Sequence, residues 1–109
     1  MKTIKPLTDE QIISEVVKIL RKYLPDVRII LFGSRAKGNN RPNSDFDFAI
    51  DTNKKVSATI KFGIFDELEA LPTLKLIDII YLNEVDEEFK EIVLKTGKVV
   101  YDGSRIPDK

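Results

Sequence analysis

From Ile12 to Leu24 the apolar residues return at helical spacing: Ile12, Ile13, Val16, Val17, Leu20 and Leu24 share one stripe, and Glu15, Lys18, Arg21 and Lys22 fall outside it. That period predicts an amphipathic helix. Thr8 with Gln11 three residues later reads as a capping box, Leu7 and Ile12 stand at the spacing of a hydrophobic staple, and Pro25 closes the segment. The period then changes. Residues 27–32 are almost continuously apolar and rich in β-branched side chains, which predicts a strand covered on most of its length and ending at Gly33. Residues 34–37 fit a short helical turn, with Gly38 a reversal before the polar loop 39–43.

A second strand begins at Asp45, where Asp45 and Asp47 alternate with Phe46, Phe48 and Ile50. Residues 57–71 carry Ile60, Ile64, Phe65, Leu68 and Leu71 on the inward face of a second helix that Gly63 weakens and Pro72 ends. Residues 74–82 read as a central strand with one charge, Asp78, in its middle. A last helix over 86–95 has Asp86, Glu87 and Glu88 in its first turn, Lys95 in its last and Gly97 past its end, an order that suits the helix dipole and a glycine C-cap. Val99, Val100 and Tyr101 add a short edge strand, and 103–109 reads as a loose tail. With neither repeat nor linker, the chain is expected to form one domain, 1–109, of the α/β class.

Composition narrows the chemistry. Cysteine and histidine are both absent, which removes disulfides, thiolate metal sites, a cysteine nucleophile and every catalytic role of imidazole. Acid–base work falls to carboxylates. Lys plus Arg equals Asp plus Glu at 18 each, so no global field draws the chain to nucleic acid or to an anionic membrane, while small anionic ligands stay open. No apolar run approaches the length of a membrane span, the N-terminus lacks the apolar core of a signal peptide, and the expected location is the cytoplasm.

Strand alternation puts Asp45 and Asp47 on one face. Neighbouring carboxylates repel and resist desolvation, so a fold that holds them together brings a cation, and hard oxygen ligands suit Mg²⁺ or Mn²⁺. Asp78, flanked by Leu76, Ile77, Ile79 and Ile80, is expected either to face the same cation or to pair with a lysine or arginine, because a buried carboxylate without a partner is costly. Gly33 and Ser34 stand where backbone N–H groups at a strand-to-helix turn bind phosphate. Arg35, Lys37 and Arg41 read either as guides for a triphosphate or as a solvated surface. A Walker A loop fails because Asn39 and Asn40 replace the required Lys and Ser/Thr, and an EF-hand fails at Ala49 and Ile50. Asp51 shares the parity of Asp45 and Asp47 but is taken as a loop residue.

Gly33-Ser34, ten intervening residues, Asp45-Phe46-Asp47 and a later strand aspartate, Asp78, together resemble the minimal nucleotidyltransferases of the DNA polymerase β-like superfamily. The resemblance covers nearly the whole chain and is specific, since two separate elements must agree in spacing. It implies an α/β (α+β) core with a mixed sheet packed with helices. It also implies that Asp45 and Asp47 hold two Mg²⁺ ions, that Asp78 completes the metal set and assists the attacking hydroxyl, and that Gly33 and Ser34, with Arg35 beside them, meet the nucleotide phosphates. Larger members carry a further domain for the base or acceptor, which this chain is too short to contain. Small members occur with a helical partner of the HEPN type, and those characterised as antitoxins transfer AMP from ATP to a tyrosine of that partner.

The leading expectation is therefore an Mg²⁺-dependent transfer of a nucleoside monophosphate from an NTP to a hydroxyl, with a HEPN-type protein as acceptor. Two alternatives stand beside it. One is a module that binds nucleotide and neutralises a partner without turnover. The other is transfer to a small molecule, which needs an acceptor pocket supplied by a partner or by a second copy of the chain.

Overall fold

The computed structural model describes residues 5–105. Its elements run α1 (Asp9–Tyr23), β1 (Arg28–Phe32), α2 (Ser34–Lys37), β2 (Phe46–Asp51), α3 (Ala58–Glu69), β3 (Ile77–Tyr81), a 3-10 turn (Leu82–Glu84), α4 (Glu87–Thr96), β4 (Lys98–Asp102) and a second 3-10 turn (Gly103–Arg105). The four strands form a mixed sheet in the order β3-β2-β1-β4. β1 runs antiparallel to both β2 and β4, whereas β2 and β3 are parallel and joined through α3. This is the α+β architecture that the alternation of periods and the resemblance both imply.

Local chemistry sets the helix ends. The Thr8 hydroxyl accepts from the Gln11 N–H at 3.2 Å, and the Gln11 side chain accepts from the Thr8 N–H at 2.9 Å, so the capping box satisfies two donors that the first turn of α1 would otherwise leave open. Ser57 and Asp86 cap α3 and α4 with one bond each, accepting from the Ile60 and Phe89 N–H without a reciprocal side-chain bond. Gly97 ends α4 with φ −81°, in extended rather than left-handed backbone, so the expected glycine cap is present in place but not in conformation.

The sheet has two apolar faces. On one, Ile12, Val16, Ile19 and Leu20 of α1 and Ile64 and Leu68 of α3 pack against Ile29, Leu31, Phe46, Phe48 and Ile50. On the other, Val93 of α4 and Leu82 pack against Ile30 and Ala49. Burial of consecutive residues in β1 and β2 follows from this double cover. Ile19 joins the core although the stripe read from the sequence omits it, and Ile13, Val17 and Leu24 are only partly buried. Gly63, a costly residue inside a helix, leaves room for the Tyr23 ring where α1 lies against α3.

Three expectations change. β3 is an edge strand, not a central one, because β4 takes the place beside β1 and nothing among the described residues pairs with the outer side of β3. Phe65, expected inward, is 59% exposed, since only the Ile64 and Leu68 side of α3 meets the sheet. Asp51 is the last residue of β2 rather than a loop residue, and it accepts two N–H bonds from Arg28, its partner in register on β1, at 2.6 and 3.1 Å. Of the segment 103–109, Gly103 is buried and its N–H donates to Val27 O at 2.9 Å, while 106–109 lie outside the described residues.

Candidate active site

β1 ends at Phe32, and the chain turns through Gly33 into α2. Gly33 has φ 78° and ψ −155°, a conformation open to glycine alone. A Cβ on Gly33 would stand 2.5 Å from Asp47 Oδ2, so the missing side chain also makes room for that carboxylate. The Ser34 hydroxyl meets no hydrogen-bond partner among the described residues. Gly38, with φ 78°, ends α2 in the left-handed conformation, and its N–H donates to Ser34 O.

Asp47 is held twice, opposite Phe32 in the antiparallel register with β1 and opposite Asp78 in the parallel register with β3. Strand parity places Asp47 and Asp78 on the face away from the α1–α3 core. Asp45 lies one residue before β2, outside the ladder, and is exposed. Among the described residues none of the three carboxylates accepts a hydrogen bond or an ion pair. Burial pushes the Asp47 carboxyl above its ordinary range, and the charges of Asp78 and then Asp45 push it further the same way. Asp78 itself is exposed, so the burial cost that marked it in the sequence does not operate; the register carries it to Asp47 instead.

The donor set suits a hard divalent cation, being made of unpaired carboxylate oxygens, with Asp47 driven toward its neutral form by burial and then by the charges of the other two. The arrangement is open: among the described residues no group of three His, Cys, Asp or Glu side chains closes around a metal position.

Arg35 is not where a phosphate guide would be. Its side chain is 5% exposed and lies over the Phe46 ring, 3.9 Å from the centroid, on the core side of the sheet. It donates to Asp9 Oδ2 at 2.7 Å, twice to Ser44 O at 2.9 and 3.2 Å, and to Pro42 O at 3.3 Å. Asp9 also accepts from Lys75 Nζ at 2.6 Å, a link across 66 residues that no local pattern signals. Lys37 and Arg41 are exposed.

Beyond the edge of β3, Phe62, Phe65, Ile77, Ile79 and Tyr81 line an apolar cleft of about 540 Å³ that has Asp78 at its rim. Phe62 is 69% exposed there. No helix among the described residues is long and apolar enough to cross a membrane.

A strand-loop-strand unit that sets Gly33-Ser34 against Asp45 and Asp47, with Asp78 alongside, is the frame of a nucleotidyltransferase. A family model described as polymerase beta, nucleotidyltransferase matches residues 14–106, and the chain belongs to that family. It is 36% identical over 84 residues to the protein adenylyltransferase MntA of Aphanizomenon flos-aquae, covering 68% of this chain and 55% of that protein. The chain thus spans about half the length of that relative. A probable protein adenylyltransferase MntA of Haemophilus influenzae is 26% identical over 94 residues, covering 86% of this chain and 82% of that protein. Among solved structures, a toxin–antitoxin with AMP-PNP matches with a TM-score of 0.67 at 25% identity, over 83% of this chain and 73% of that one. A Shewanella oneidensis complex of a tri-AMPylated HEPN toxin with an MNT antitoxin shares the fold, with a TM-score of 0.64 at 21% identity over 85% and 71%.

Proposed function

We propose that the chain transfers AMP from ATP to a hydroxyl of a helical HEPN-type partner in the cytoplasm, as the antitoxin of a toxin–antitoxin pair. The observation that carries the chemistry is the register that sets Asp47 beside Asp78, with Gly33 backbone against the Asp47 carboxylate. The acceptor rests on the names of the relatives and on the AMP-PNP and AMPylated complexes among the similar structures.

In this reading Asp45 and Asp47 hold two Mg²⁺ ions and Asp78 completes the set. When bound, the ions neutralise the triphosphate and stabilise the charge that develops on the attacking and leaving oxygens. The remaining work belongs to the chain. Gly33 lets the backbone come close to the phosphates, and the Ser34 hydroxyl supplies a donor to one of their oxygens. Asp78, exposed on the edge strand, orients the acceptor hydroxyl and takes up its proton. No histidine or cysteine is needed for any of this, in keeping with a chain that has none.

The test is intact-mass spectrometry of the partner after incubation with the chain and Mg·ATP. A gain of one or more AMP units, absent with Asp45→Asn, supports the proposal. An unmodified partner beside a chain that adenylylates a small molecule would move the acceptor. The open arrangement of the three carboxylates favours one second reading, a nucleotide-binding module without turnover. Calorimetric binding of Mg·ATP with no product formed would select it.

A further inference from the structure

Asp45 presents a problem that the ladder does not solve. The register with β1 ends at Asp47 and that with β3 at Phe46, whose N–H donates to Leu76 O at 2.9 Å, so the sheet ties the peptide that follows Asp45 but makes no bond to its N–H or its side chain. An exposed carboxylate in a loop samples many positions, whereas catalysis requires placement within a fraction of an ångström. The N-terminal side of Asp45 needs a further restraint.

We propose that Arg35 is the positioning residue for Asp45, a buried clamp that fixes the aspartate from both sides without touching nucleotide. On one side it donates twice to the carbonyl of Ser44, whose peptide plane continues directly into the Asp45 nitrogen. On the other its guanidinium carbon lies over the ring of Phe46, the residue after Asp45, 3.9 Å from the centroid. A third contact, to Pro42 O, secures the preceding turn. Because Arg35 follows Ser34 within α2, the same side chain also sets the distance between the Gly33-Ser34 turn and the aspartates. Its own place is fixed by Asp9 of α1, whose carboxylate is shared with Lys75, three residues before Asp78. The carriers of all three aspartates are tied to one carboxylate.

The planar fork is what this arrangement uses, since two N–H bonds converging on one carbonyl oxygen, a third to Asp9 and contact over a ring lie together beyond the reach of lysine. The experiment compares wild type, Arg35→Lys and Asp9→Asn. Backbone ¹⁵N relaxation reads the positioning directly, independent of turnover: the Asp45 amide order parameter is expected to fall from about 0.85 to below about 0.6 in Arg35→Lys, with Asp47 unchanged. Asp9→Asn, which leaves the carbonyl contacts in place, moves the same amide in the same direction by less, and it carries the test if Arg35→Lys does not fold.

The activity arm rests on the proposed transfer. There, kcat is expected to fall about 100-fold in Arg35→Lys, as for an ångström-scale misplacement, with KM for ATP within about twofold of wild type. A KM that rises with kcat intact would make Arg35 a phosphate ligand and overturn the proposal. An Asp45 amide as rigid in both variants as in wild type overturns it too, leaving Arg35 with a stabilising role only. A wild type without transfer would refute the proposed function, while the relaxation data would still decide the role of Arg35.

Discussion

Asp47 and Asp78 are direct partners in the parallel register of β2 and β3, and neither carboxylate has a hydrogen-bond or ion-pair partner among the described residues. Burial of Asp47 first, and then the like charges of Asp78 and Asp45 beside it, raise its pKa.

Asp47→Asn is therefore expected to raise the melting temperature of the metal-free chain at pH 7 while reducing transfer by about 100-fold or more, the scale of losing one electrostatic contact to a reacting centre. The sign follows from linkage. A carboxyl with a raised folded pKa stabilises the fold below its ordinary range and loses that contribution as pH rises through the folded value. The gain from Asp47→Asn should accordingly fade as pH falls below about 4, near the unperturbed aspartate value. Calorimetric melts with chelator at a series of pH values check it.

Gly33→Ala should fail in two ways at once. A side chain at φ 78° and ψ −155° costs about 1–3 kcal/mol in backbone strain, and its Cβ displaces the Asp47 carboxylate. Melting temperature and transfer both fall, and Gly33→Val is worse. Ser34→Ala, whose hydroxyl has no partner to lose among the described residues, should lower transfer with a melting temperature near wild type. Parallel melts and rate measurements separate the two.

Asp9 titrates in the opposite sense to Asp47. The hydrogen bond from Lys75 lowers its carboxyl pKa most, burial opposes that shift, and the hydrogen bond and charge of Arg35 add to it. A depressed pKa gives stability that is present above the ordinary carboxylate range and lost as pH falls through the folded value. Asp9→Asn should thus melt below wild type at pH 7, and the two curves should converge in acid. A gap that stays constant down to the lowest accessible pH would mean the charge of Asp9 is not what matters.

Phe48 and Phe65 test which aromatic residues belong to the core. Phe48→Ala removes a fully buried ring and should cost about 3–5 kcal/mol. Phe65→Ser, on the outer side of α3, should stay within about 0.5 kcal/mol of wild type. Urea titrations with a shared m-value decide between them.

What could be read from the sequence was local. The capping box at Thr8, the strand read at residues 27–32 and found at Arg28–Phe32, the turn at Ser34–Lys37 and the alternation around Asp47 depend on neighbours within four residues, and the structure has them all. The errors depend on distant parts of the chain. A nearly continuous apolar run implies cover on both faces but says nothing of strand order, so β3 read as central while lying at the edge. Phe65 sits at a plausible helical position, and only the placement of α3 at the side of the sheet exposes it. Arg35 read as a phosphate guide or a solvated charge because the groups that bury it, Asp9 and the carbonyls of Pro42 and Ser44, come to it from outside its own turn. In the candidate site strand period marked Asp47, whereas Asp45, expected on the same strand, lies before β2 outside the ladder, and the meeting of Asp47 with Asp78 is a matter of register.

The edge position of β3 gives Asp78 a second consequence, for solubility. Unpaired strand edges recruit other strands, and proteins guard them with charge. Without Asp78, β3 would present Ile77, Ile79, Ile80 and Tyr81 around an uncharged centre, beside the exposed Leu74, Leu76, Phe62 and Phe65. The carboxylate proposed to handle the acceptor proton is also the single charge within that strand. A variant such as Asp78→Val would then precipitate through edge-to-edge association while still correctly folded, and Asp78→Lys, equally unable to serve as a base, would remain in solution.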